Sequence, residues 1–169
     1  VSNTGVVATD TSGVGTARSA LASCEYGDDK AIFGFGDTGS LTAITNLVSN
    51  TGVVATDTSG VGTARSSIAA CDYGFDKGIF AYGFDASART AVSNKVSNAG
   101  VVATDVTGVG TARSYLAATQ YGGGKGIFGY GDTPAFVSMT NLVSDAGVIG
   151  TDVTGVGDTR NYLAACSYG

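Results

Sequence analysis

Short apolar runs broken by glycine and small polar residues recur along the whole chain, and none of them is sustained at the spacing of a helix. The run at residues 5–10, Gly-Val-Val-Ala-Thr-Asp, has a β-branched centre, is entered from Ser2-Asn3-Thr4 and is left through Gly13-Val14-Gly15. Runs bounded in this way are strands. Residues 17–26 set Leu21 on one face and Ala20, Ala22 and Cys24 on the other. Small side chains on a face let a neighbouring backbone come close, so this strand is expected in the most crowded part of the fold. Residues 30–36 read as a third, aromatic-rich strand ended by glycine, and residues 41–48 alternate loosely as a fourth. Glycine and β-branched residues interrupt every window long enough to hold a helix. The pattern predicts an all-β chain.

The same pattern then repeats. Arg18, Arg65, Arg113 and Arg160 are separated by 47, 48 and 47 residues, and Asp10, Asp57, Asp105 and Asp152 keep step with them. A period of this length marks an array of supersecondary units, none of which can bury its apolar face alone. The chain divides into residues 1–16, 17–63, 64–111, 112–158 and 159–169, that is, three full units flanked by the last strand of a preceding one and the first strand of a following one. Four-stranded units of this length close most naturally into a β-propeller.

Each unit couples an Ala-Arg pair (Ala17-Arg18, Ala64-Arg65, Ala112-Arg113) to an apolar strand ending in glycine or alanine, an aromatic and glycine (Gly34-Phe35-Gly36, Ala81-Tyr82-Gly83, Gly129-Tyr130-Gly131). This order resembles the kelch-type propeller blade, in which an Arg-led inner strand precedes a strand closing on a glycine pair. The chain departs from that family in having no tryptophan and in splitting the glycine pair with an aromatic. The Gly-, Thr- and Asn-rich style also looks like that of repeats in virion and bacterial surface proteins. The resemblance implies blades with the Arg-led segment innermost, and about three and a half of them here. The two terminal part-units do not complement each other. The ring is therefore expected to be part of a larger propeller, to be completed by partner chains, or to give way to an open filament; the first is favoured. Exposed strand edges are templates for association.

Composition narrows the function. Only 14% of residues are charged, and the net charge is −5 with nine Lys and Arg spread over the units. That is a poor surface for nucleic acid or an anionic membrane. No run of 18 apolar residues is present, so no membrane-inserted helix is expected. The chain starts at Val1 with no signal-like segment, which reads as a processed product or a piece. Cys24, Cys71 and Cys166 hold equivalent places, too far apart for a disulfide, and are expected to be free.

The chemistry available is sparse. Histidine is absent and glutamate occurs once, at Glu25, which removes the commonest general base and most zinc sites. The repeated arginines and aspartates are expected to pair structurally, because a catalytic site needs one asymmetric constellation and a copied motif supplies symmetry. Asp10-Thr11-Ser12-Gly13 lacks the further acidic ligands that calcium requires. No enzyme activity, cofactor or metal is expected. The units differ most between their second and third expected strands, at Asp37, at Phe84, Asp85 and Arg89, and at Asp132 and Phe136. One varied loop on each constant framework is how such scaffolds diversify contacts. The leading expectation is a structural and interaction module of an extracellular assembly, a virion appendage or surface fibre, contacting protein through blade edges and loops. The alternative is a lectin-like propeller whose loops bind glycans.

Overall fold

The computed structural model describes residues 4–7, 9, 10 and 12–168. Residues 1–3, 8 and 11 of the expected first segment, and Gly169 of the last, lie outside the described residues. The protein is all-β, with no helix among the described residues. It forms three antiparallel sheets of three strands, each in chain order. The first sheet comprises β1 (Ala22–Tyr26), β2 (Lys30–Gly34) and β3 (Thr45–Val48). The second comprises β4 (Ala69–Tyr73), β5 (Lys77–Ala81) and β6 (Ser93–Val96). The third comprises β7 (Ala117–Tyr121), β8 (Lys125–Gly129) and β9 (Thr140–Val143).

Two expectations are corrected. The first concerns the fourth strand. Residues 53–58 pair with β3 as isolated bridges, Val48↔Val54 and Thr45↔Thr58, in place of a continuous ladder, and the other two units repeat this. Three steps along β3 face four along the segment, so one residue is extra and the ladder bulges. The bulge turns Asp57 out of the ladder, and the four-stranded unit becomes a three-stranded sheet with a bridged flank. The second correction concerns the Arg-led strand, which begins at Ala22 and leaves Arg18 upstream. Ala20, Ser67 and Tyr115 all have φ between 53° and 55° or just below, at 52° for Ala20. A left-handed residue at that point ends any extended run.

That left-handed residue has a second role. The Ser67 amide donates to the Ala20 carbonyl at 2.9 Å, Tyr115 to Ser67 at 3.0 Å and Tyr162 to Tyr115 at 3.1 Å. Equivalent residues of successive units are thereby joined in one backbone ladder.

The apolar core lies between units. One cluster combines Cys24, Tyr26, Ile32 and Phe35 of the first unit with Ile68, Phe80, Val96 and Val102 of the second. The other combines Cys71, Tyr73, Ile79 and Tyr82 of the second with Leu116, Phe128, Val143 and Ile149 of the third. Strand alternation explains this directly, since neighbouring residues of one strand face opposite sheets. In β5, Ile79 faces the third unit and Phe80 the first, and both are fully buried. Equivalent tyrosines close each layer: Cβ atoms placed on Gly100 and Gly147 would strike the rings of Tyr26 and Tyr73 at 3.0 and 2.6 Å.

Candidate functional site

The repeated Gly-x-Gly-Thr-Ala-Arg stretch and the aspartate of each bulge meet in one four-residue network. At the first unit, Thr16, the last residue of the segment before it, donates its amide and hydroxyl to Asp57 at 3.0 and 2.6 Å. Asn46 donates to Asp57 at 2.8 Å and to the Ala55 carbonyl at 3.1 Å, while its own oxygen accepts from Arg18 Nη2 at 2.6 Å. Arg18 and Asp57 are themselves 4.0 Å apart. The asparagine therefore relays between guanidinium and carboxylate. Thr63, Arg65, Asn94 and Asp105 repeat the arrangement, as do Thr111, Arg113, Asn141 and Asp152. Gly15, Gly62 and Gly110 are required beside it. Each has φ near 80°, and a Cβ on Gly62 would come within 2.5 Å of Asn94 Nδ2.

Burial sets the electrostatics. Arg65 and Arg113 are fully buried, and desolvation lowers the Arg65 pKa to about 10 against the opposing pull of Asp105 and Asp85. Burial lowers Arg113 too, opposed by Tyr82 and Asp152. For Asp105 and Asp152 burial pushes upward, but hydrogen bonds from Thr63 and Asn94, and from Thr111 and Asn141, outweigh it and hold both below the usual carboxylate range. The Thr16 and Asn46 hydrogen bonds lower Asp57 likewise.

Arg65, Arg113 and Arg160 also lock their units to the one before. The Arg65 guanidinium lies 4.6 Å above the Phe35 ring, Arg113 4.3 Å above Tyr82 and Arg160 4.7 Å above Tyr130. The carbonyls of Arg65, Arg113 and Arg160 accept from the amides of Gly36, Gly83 and Gly131 at 2.8, 2.9 and 2.9 Å. The aromatic that splits the glycine pair is thus the seat of the next unit's guanidinium. Phe35, Tyr82 and Tyr130 take φ of 64°, 65° and 62° to present it. A cation above a ring contributes about 0.5–2 kcal/mol, more where water is excluded. Asn46, Asn94 and Asn141 and these aromatics went unrecognised in the sequence as partners of the arginines. The signal was their strict recurrence in register with them.

The varied loops lie at one edge. Backbone pairs Ser19↔Asp37, Ser66↔Phe84 and Ser114↔Asp132 tie them to the residues just before the ladder. Asp37 closes its own turn by accepting from the Gly39 amide at 2.7 Å. Asp85 accepts from the Ser87 hydroxyl at 2.8 Å and the Ala88 amide at 3.0 Å, and the Ser87 bond foremost lowers its pKa. Phe84 holds the same register place as Asp37 and Asp132 and is half-buried, whereas Phe136 is exposed. Arg89 Nη2 donates to Asp132 at 3.0 Å, joining the second loop to the third. The Tyr115 and Tyr162 rings stack with centroids 4.2 Å apart.

Among the described residues no group of three or more Cys, Asp or Glu side chains is placed to hold an ion. The repeated arginines and aspartates are engaged in the network and ring contacts described above. Cys24 and Cys71 are buried and free, and Cys166 is exposed and free. The chain matches no protein-family model, and no curated protein matches it.

Proposed function

We propose that the chain is a structural and interaction module of a propeller type, working in an extracellular assembly such as a virion appendage or surface fibre, and that it performs no catalysis. The observation that carries this is the placement of the core between units. A sheet whose partner is the next unit leaves one apolar face uncovered at each end of an array. Phe33 on the first unit is 38% exposed, and Tyr121 and Leu142 on the third are 39% and 43% exposed, while Phe80 in the middle is fully buried. Such faces mark protein contact surfaces.

The radial arrangement of blades draws support from two features. The bridged flanks at 53–58 and its equivalents add a fourth, bulged segment to each sheet. The Cys24, Cys71, Thr119 and Cys166 positions, one from every unit, line a single space of about 340 Å³, as equivalent strands gathered about an axis would. The test is binding of an apolar, environment-sensitive dye to the native full chain. Binding that Phe33→Asp and Tyr121→Asp each reduce, with unchanged β circular dichroism, is the expected result; a native chain that binds no dye would sink the reading.

A second reading, a glycan-binding propeller, draws on the loop edge. Arg89 and Asp132 offer paired polar groups, and Tyr162 and Phe136 offer exposed rings on which a sugar could stack. Glycan-array binding lost in Arg89→Ala and Asp132→Ala would favour it over the first.

A further inference from the structure

We propose that the uncovered face of the first unit receives another unit of this same repeat, one bearing alanine or glycine where this chain has Cys24, and that a second copy of this chain does not fit there. The proposal rests on the interaction-module reading and specifies the partner of one of its faces.

The two interfaces within the chain show what the face is built to meet. In each, the later unit contributes a guanidinium to an aromatic seat. In the first interface the Phe80 ring also packs onto Gly34, where an added Cβ would lie 2.8 Å from Cζ. The later unit also places a bare glycine against a cysteine of the earlier one. A Cβ on Gly126 would stand 2.5 Å from Cys71 Sγ, and one on Gly78 would be as crowded by Cys24 Sγ. The first unit presents the same later-unit half, and among the described residues no further unit packs on it as the first packs on the second. Phe33 occupies the place of Phe80 and is 38% exposed, and Arg18 stands in the place of Arg65. A cleft of about 580 Å³ opens beside them, lined by Arg18, Leu21, Phe33, Asn46 and Val53.

One residue differs, and it selects the occupant. Ala31 pairs with Glu25 as Gly78 pairs with Asp72 and Gly126 with Gln120. Its methyl group therefore projects where a cysteine sulfur would otherwise sit. The opposing side chain must end at Cβ or be absent. The outer face of this chain's third unit offers Thr119 at that position, which is branched and as large as cysteine. Head-to-tail docking of a second copy would set Thr119 against Ala31 in a space that already excludes a methyl group opposite sulfur. Asp10 has a matching need, since it stands in the repeat place of Asp57, whose threonine and asparagine partners, Thr16 and Asn46, lie 41 and 11 residues upstream of it.

The experiment extends the full chain at its N-terminal side by a copy of residues 112–142, so that residues 1–16 follow it as its last segment. The copy is made with either alanine or threonine at the Thr119 position. With alanine, the melting temperature rises by several degrees and amide exchange across β2 slows about tenfold or more. With threonine, both stay near the unextended values, and Ala31→Gly in that version restores the protection. Equal gains for alanine and threonine, or no gain with alanine, would overturn the proposal. So would head-to-tail oligomers of the unextended chain in sedimentation that Phe33→Asp abolishes. If instead the native chain binds no apolar dye, the interaction-module reading itself fails, whatever the extension does.

Discussion

The second unit and the first have nearly the same sequence but different physical circumstances. In the second, both faces of the sheet are covered, Phe80 and Ile79 are fully buried, and Arg65 is buried against the Phe35 ring. In the first, Ile32 is buried but Phe33 is not, and Arg18 has no ring to sit on among the described contacts. Residue identity therefore does not set the energetic weight of a position here; neighbouring units do. This is the behaviour of a one-dimensional array, in which stability is a sum of unit and interface terms.

The sharpest way to test that contrast is thiol chemistry. Burial pushes the Cys71 thiol up to about 12, and it raises Cys24 still further, whereas Cys166 lies exposed. Under native conditions a disulfide reagent should label Cys166 alone, with the other two reacting at least about a hundredfold more slowly because so little thiolate forms. Rapid labelling of all three would show that the units separate readily.

Arginine removal comes next. Arg113→Ala leaves Asn141 and the Tyr82 ring without their buried cation and should cost about 3–5 kcal/mol in chemical denaturation. Arg18→Ala loses mainly the Asn46 bond and should cost about 1–2 kcal/mol. The phenylalanines should divide similarly, Phe80→Ala costing about 3–5 kcal/mol and Phe33→Ala less than about 1 kcal/mol. Equal costs for the two members of either pair would break the comparison between units.

A smaller effect probes the interface itself. Gly126→Ala should destabilise by about 1–3 kcal/mol because Cys71 Sγ has nowhere to move. Cys71→Ala should recover much of that loss in a double-mutant cycle. The smallest effect is with pH. The folded pKa values of Asp105 and Asp152 lie below their unfolded ones. Their contribution is therefore present above the ordinary carboxylate range and is lost as pH falls through the folded values. Asp105→Asn should flatten the acid limb of a stability–pH curve; an unchanged limb would show that the carboxylate does not titrate with folding.

The all-β class was legible in the short β-branched runs broken by glycine, and the repeat period in the arginines and aspartates that mark phase in the sequence. A symmetric copy argues against a unique site, which is the reason to expect a structural role for those residues. The length of the Arg-led strand was not legible. Ala20, Ser67 and Tyr115 are ordinary residues in a left-handed conformation, and no local signal announces that without a glycine. The split glycine pair was read as a departure from a known blade, whereas its aromatic is a platform whose partner lies a full unit away. The bulge that carries Asp57 was equally hidden. A stretch of Val, Ala and Thr reads as a regular strand until the side-chain bonds to Thr16 and Asn46 are seen to pull one residue out of register.

The ladder through residues 20, 67, 115 and 162 uses main-chain atoms only. Nothing about it depends on what projects from each rung, and the four rungs are in fact alanine, serine, tyrosine and tyrosine. Any residue that keeps its amide hydrogen and tolerates a left-handed φ can stand in that row, so an ordered file of variable side chains lies along one margin of the molecule.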